Sequence, residues 1–98
     1  MVLADMHLRP GEPWEYCPRE ALRRVSKVLK DECNLVMNAG FESEFFLLKK
    51  LERSWKWSVE LALGHSACTY AANKLIFARE AVRAVANKHG LLATFVPK

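Results

Sequence analysis

The sequence predicts a layered fold of the α/β or α+β class, and three observations carry that prediction. Two stretches space their apolar residues as helices do, near residues 18–32 and 68–89. Three others alternate or run apolar as strands do: "GFESEFFLL", "SVELALG" and "LLATFV". Turn formers punctuate them at Pro10-Gly11, Pro13, Asn38-Ala39-Gly40 and Gly90. The order is helix, strands, helix, strand, which places helices on one face of a sheet.

Residues 1–17 read as an extended N-terminal segment with one short strand, in which Met6, Trp14 and Tyr16 are candidate anchors. A helix then starts at Pro18, where a missing N–H costs nothing. Glu20 near its start and Lys27 and Lys30 near its end suit the helix dipole. Leu22, Val25, Val28 and Leu29 form its apolar stripe, and its arginines read as a solvated face.

"CNLVMNAGFESEFFLLKK" reads as two strand pieces around Asn38-Ala39-Gly40. In the second piece Phe41, Phe45 and Leu47 share one face with Ser43; Glu42, Glu44, Phe46 and Leu48 share the other. "SVELALG" is a further strand, with Val59, Leu61 and Leu63 on one side and Glu60 and Ala62 on the other. Before it, "KKLERSWKWS" has no clear period and fits a short helix, a hairpin loop or a join. The second helix takes Thr69 as its N-cap and buries Ala72, Leu75, Ile76, Val82, Val85 and Ala86. Gly90 stops it. "LLATFV" closes the series.

Composition narrows the function classes. The chain has 98 residues, 51% hydrophobic, with 15 basic and 11 acidic residues and a net charge of +4. That length predicts one domain at most. The charges are dispersed and no basic run is interleaved with aromatics, which argues against nucleic acid. Three cysteines at wide spacings, without CxxC, predict reduced thiols in a cytoplasmic protein. The N-terminus has no apolar signal segment, and no apolar run is long enough to cross a bilayer.

Glu42, Glu44 and Glu60 are the candidate site. Carboxylates gathered on one face repel unless a cation or donor is near, and hard divalent cations take such oxygen ligands. Two acids on an exposed strand face are equally a solvated surface, and spacing alone leaves both readings open. His7, His65 and His89 read as structural or solvated, and Trp55 and Trp57 as packing residues. No nucleophile-base pair and no phosphate loop is present in the sequence, so no catalytic residue is assigned.

"RPGEPWEYCPREALRRV", "NAGFESEFFLL" and "ELALGHSACTYAANKLIFAREAVRAVANKHGLLATFVPK" resemble the glutamine synthetase family, most closely its type-I-like members of plants and fungi. The likeness covers residues 4–50 and about 58–98. It implies an α+β fragment of a catalytic domain, with a few mostly antiparallel strands and two helices packed on one face. It implies ATP-dependent ligation of ammonia to glutamate through a γ-glutamyl phosphate, within nitrogen metabolism, and homo-oligomers. The cofactors implied are Mg²⁺ or Mn²⁺, with ATP as co-substrate. By motif match Glu42, Glu44 and Glu60 fall on metal-binding glutamates.

The departures imply a second reading. Only "KKLERSWKWSV" separates the two acidic strands, where the family has several dozen residues. Glu52 stands near the place of a fourth metal-binding glutamate but lacks its Gly-Gln context, and carries no assignment. The family's metal-binding histidine, glycine-rich segment and arginines lie beyond the position of Lys98, and its small N-terminal β domain is also lacking. The expectation is therefore a catalytic domain shortened near 49–58 and truncated after 98. Its alternative to ligase activity is a silent remnant that at most binds a cation or docks on homologues.

Overall fold

The computed structural model describes residues 2–49 and 55–96. The elements are β1 (His7–Arg9), β2 (Glu12–Pro13), α1 (Pro18–Cys33), β3 (Asn38–Lys49), β4 (Trp55–Ala67), α2 (Cys68–Lys88) and β5 (Leu91–Thr94). This is an α+β arrangement of two helices with antiparallel strand pairs. The chain divides into two compact units, Met1–Ala39 with His65–Asn73, and Gly40–Gly64 with Lys74–Lys98.

The first unit opens with a hairpin rather than the one short strand expected. Strands β1 and β2 pair antiparallel. Gly11 makes the turn between them with φ +81°, a conformation that side chains with a Cβ resist. Trp14 then donates its backbone N–H to the Met6 carbonyl at 3.1 Å, and its ring meets Tyr16 edge-on at 5.9 Å. Of the three candidate anchors Trp14 is half-buried, whereas Met6 and Tyr16 are exposed.

Pro18 begins α1 as its sequence position predicts. Cys17 is the N-cap and supplies no side-chain cap bond. At the other end Asn34 adopts φ 52°, and the N–H groups of Asn34 and Leu35 reach back to the carbonyls of Lys30 and Leu29. Asn tolerates this left-handed geometry better than most residues, which is why the helix stops there. The apolar stripe of α1 exists in sequence, but none of its residues is buried; Val25 and Val28 are exposed. Residues 34–37 are not a strand, contrary to expectation; Leu35, Val36 and Met37 are exposed. The Met37 carbonyl instead accepts the N–H of Cys68 at 3.1 Å.

The second unit holds the sheet, in the order β4-β3-β5. Asn38-Ala39-Gly40 does not divide two pieces; β3 runs unbroken through it. Ladder pairing outweighs the local turn preference of Asn and Gly there. β5 pairs antiparallel with the last part of β3, in the register Phe46↔Thr94, Leu47↔Ala93, Leu48↔Leu92 and Lys49↔Leu91. The stretch before β4 that sequence left open falls partly on residues 50–54, outside the described residues; its end, from Trp55, is strand.

The core of this unit is Phe45, Ala86 and Ala93, with Leu47, Val59, Leu61, Val82, Leu91 and Phe95 packed against them. It brings α2 onto the face of the sheet that carries Phe45. Helix α2 starts at Cys68, so Thr69 sits inside the first turn rather than capping it. Its buried residues are Cys68, Ala71 and Ala86, while Ile76 and Val85, expected inside, are exposed. Gly90 ends it with φ +70°, as predicted. Among the described residues no helix is long and apolar enough to cross a membrane.

Candidate functional site

The candidate site starts from the alternation of β3. Ser43 and Phe45 are buried and Phe41 is half-buried, whereas Glu42 and Glu44 are exposed. The period-two prediction therefore holds from Phe41 to Phe45. Beyond Phe45 both faces are half-buried, through to Leu48. Two residues apart on a strand, the Glu42 and Glu44 Cα atoms lie roughly 7 Å from one another and their side chains leave the same face.

Glu60 is reached from β4 by the same logic. Val59 and Leu61 pack against the Phe45 cluster, and Glu60 between them is exposed. All three glutamates therefore leave the face of the sheet opposite α2. Among the described residues no group of three His, Cys, Asp or Glu side chains could hold a metal ion. Glu42 and Glu44 fit a hard divalent cation in donor type, and a largely hydrated ion takes as few as one or two protein carboxylates. They do not make a closed metal site. Glu52 lies outside the described residues.

The histidines fall apart from one another in the chain's elements. His7 is in β1, His65 is exposed in β4, and His89 follows α2, at an apolar groove of about 380 Å³ bounded by Phe45, Leu47, Val82 and Leu91. Trp57, read as a packing residue, is instead half-exposed, and the side chain of Trp55 lies outside the described residues.

Two arginine arrangements were not legible in the sequence. In the first unit Asp5 accepts from Arg19 at 2.7 Å and also from Arg23, and Arg19 donates onward to the Asn73 side chain. Hydrogen bonds from Arg19, then Arg23, hold the Asp5 carboxyl below the usual aspartate range. Arg24 donates to the Glu15 carbonyl at 2.9 Å. The arginines of α1 are thus not simply a solvated face. No local spacing could have shown this, because Asp5 is 14 and 18 residues from its partners. In the second unit Arg79 and Arg83 lie over the Phe95 ring, at 4.8 and 5.2 Å from its centroid. Arg83 also pairs with Glu80, whereas the buried Nε of Arg79 has no acceptor.

Cys17 and Cys68 are buried and Cys33 is exposed, all as free thiols. The backbone amide of Met6, then that of Glu20, holds the Cys17 thiol below its ordinary range. The Met6 amide comes from the segment before β1 and the Glu20 amide from the first turn of α1, and hydrogen bonds donated to the sulfur favour its thiolate.

No protein-family model matches the chain, and no solved structure matches it. Two characterised proteins do. The chain is 40% identical over 53 residues to a gamma-glutamylanilide synthase of an Acinetobacter species, across 54% of this chain and 10% of that protein. It is 21% identical over 147 residues to type-1 glutamine synthetase 1 of Dictyostelium discoideum, across 96% of this chain and 30% of that protein. The chain is distantly similar to glutamine-synthetase-type proteins. It spans about a tenth and about three-tenths of the length of these two relatives.

Proposed function

We propose that this chain is a piece of a glutamine-synthetase-type γ-glutamyl ligase, and that by itself it does not catalyse ligation. The observation that carries the reading is the exposed Glu42/Glu44 face of β3, backed by buried Phe45, in a chain whose relatives are named for γ-glutamyl amide formation. On this reading Glu42 and Glu44 are carboxylates turned towards Mg²⁺ or Mn²⁺, and Glu60 is a third on the same sheet face. The ion, when bound, would offset phosphoryl charge as ATP activates the glutamate carboxylate. The chain's own contribution is to hold two carboxylates on a strand whose other face is fixed by packing, so that their direction does not drift.

The amine acceptor follows the relatives in two ways. Ammonia is the acceptor in the glutamine synthetase reading. The name of the Acinetobacter protein favours an aromatic amine as a second reading. The remnant half of the proposal rests on size and on sequence span. A phosphoryl-transfer site needs donors arranged around the transition state, and this chain spans only about a tenth and about three-tenths of the length of its two relatives. The alignment to the Dictyostelium protein covers more residues than this chain contains, which supports an internal shortening.

Incubation of the 98-residue protein with glutamate, ATP, Mg²⁺ or Mn²⁺, and ammonia or aniline tests the proposal. The expected outcome is no γ-glutamyl amide and no phosphate release above a protein-free control. Turnover by the chain alone overturns the inactive reading. In parallel, Mn²⁺ is expected to raise the melting temperature, and Glu44→Ala to remove the rise. A Mn²⁺ shift that survives in both Glu44→Ala and Glu42→Ala removes the metal role from the pair.

A further inference from the structure

We propose that Arg79 and Arg83, one turn apart on α2 beside Phe95, form a binding site for a phosphate group. Both arginines lie in the second unit and line a hollow of about 230 Å³ with Ile76 and Glu80. That is several times the roughly 30 Å³ share of one liquid water, so a small anion fits. The hollow is on the α2 side of the sheet, whereas Glu42 and Glu44 leave the opposite face. It is therefore separate from the metal-binding reading and does not rest on it.

Charge, orientation and an unpaired donor all point to an anion here. Among the described residues lining the hollow, two guanidiniums stand against one carboxylate, Glu80, which pairs with Arg83. Like charges four apart on a helix repel, and a shared anion relieves that repulsion. The half-buried Phe95 ring holds the Arg79 and Arg83 heads at 4.8 and 5.2 Å from its centroid. Cation–π contact fixes both heads near one point, and a guanidinium against a ring keeps its in-plane N–H donors free. Heads already ordered lose less freedom on binding. The Nε of Arg79 is buried without an acceptor, a costly state for a donor. An anion on the terminal nitrogens draws the guanidinium outwards and gives that Nε a partner. Phosphate suits the pair better than carboxylate does. One guanidinium fork fills a planar carboxylate, but a tetrahedral phosphate accepts from two arginines at once. Its second charge also competes better with Glu80 for Arg83.

Titration of the 98-residue protein with inorganic phosphate tests the site. EDTA is present throughout, so metal-mediated binding at the glutamates does not contribute. Saturable shifts of the Arg79 and Arg83 side-chain resonances are expected by NMR, and binding should weaken as NaCl rises. Arg79→Gln and Arg83→Gln should each weaken binding roughly ten-fold, as loss of a charge-assisted hydrogen bond does. Glu80→Gln should tighten it about three-fold, because a competing carboxylate is gone. A merely structural role for the arginines would not produce that opposite sign. Circular dichroism checks that the variants fold, and Arg79→Lys, which keeps the charge without the fork, should fall between parent and Arg79→Gln. Glycerol phosphate forms a second arm: equal affinity assigns a phosphomonoester, and weaker or no binding assigns free phosphate. The proposal is overturned by the lack of any saturable shift, by acetate binding as tightly as phosphate, or by a Glu80→Gln protein that fails to bind more tightly.

Discussion

The two units of the molecule are held together by different chemistry. In Met1–Ala39 with His65–Asn73 the buried side chains among the described residues are Cys17, Cys68 and Ala71, all small. The long-range ties there are polar: Asp5 bridges Arg19 and Arg23, Arg19 reaches Asn73, and the Cys68 amide reaches the Met37 carbonyl. In Gly40–Gly64 with Lys74–Lys98 the tie is apolar. Phe45 meets Phe95 at a tilt of 41°, ring centroids 5.3 Å apart, and sits among Ala86, Ala93 and a ring of half-buried aliphatics. Apolar burial is non-directional and scales with area removed from water. Exposed ion pairs depend on pH and salt and contribute little each. The comparison therefore expects the second unit to set the stability and the first to set its response to conditions.

The largest expected effect lies in the second unit. Phe45→Ala should lower unfolding free energy by ~3–5 kcal/mol, read by denaturant titration. If that variant does not fold, Phe45→Leu should show a smaller loss in the same direction. The comparison breaks if either variant reduces hydrogen-exchange protection in residues 18–33 as much as in residues 74–88.

A middle effect comes from Gly90. Its φ of +70° is costly for any residue with a Cβ, although no atom stands within 4 Å of where that Cβ would lie. Gly90→Ala should therefore destabilise by about 1–2 kcal/mol through backbone conformation alone. Gly90→Asn should recover part of that, because Asn tolerates the left-handed region. Equal losses in both variants would show that something other than φ matters at the end of α2.

The smallest effect, and the most condition-dependent, belongs to Asp5. Its folded-state pKa is depressed by Arg19 and Arg23. A depressed acid contributes stability that is present above its unfolded value of about 3.9 and is lost as pH falls through the folded value. Asp5→Asn should therefore melt earlier than the parent near neutral pH, and the gap should close in acid and shrink in high salt. A gap of constant size from neutral to strongly acid pH would sink the ion-pair account.

How much of this was legible follows from range. The face of β3 could be read because alternation is a property of neighbours: Phe41, Ser43 and Phe45 need no knowledge of the rest of the chain. The start of α1 at Pro18 and the stop of α2 at Gly90 are likewise local. The unbroken passage of β3 through Asn38-Ala39-Gly40 was not, because ladder pairing overrode a local turn signal. Nor was the Asp5 bridge, whose partners lie 14 and 18 residues away. For the glutamates, sequence gave the shared face but not a meeting point. Bringing Glu60 to Glu42 and Glu44 depends on strand register, which residue spacing does not encode.

The seam between α2 and the sheet carries one more consequence. There a single large ring, Phe45, is set against two alanines, Ala86 and Ala93, and an apolar groove opens alongside at Ala81 and Val85. Such an interior is limited by how much it contains rather than by how tightly it fits. The room for improvement is therefore already in place: a few added methyl groups along the groove would deepen the hydrophobic interior without asking the backbone to move.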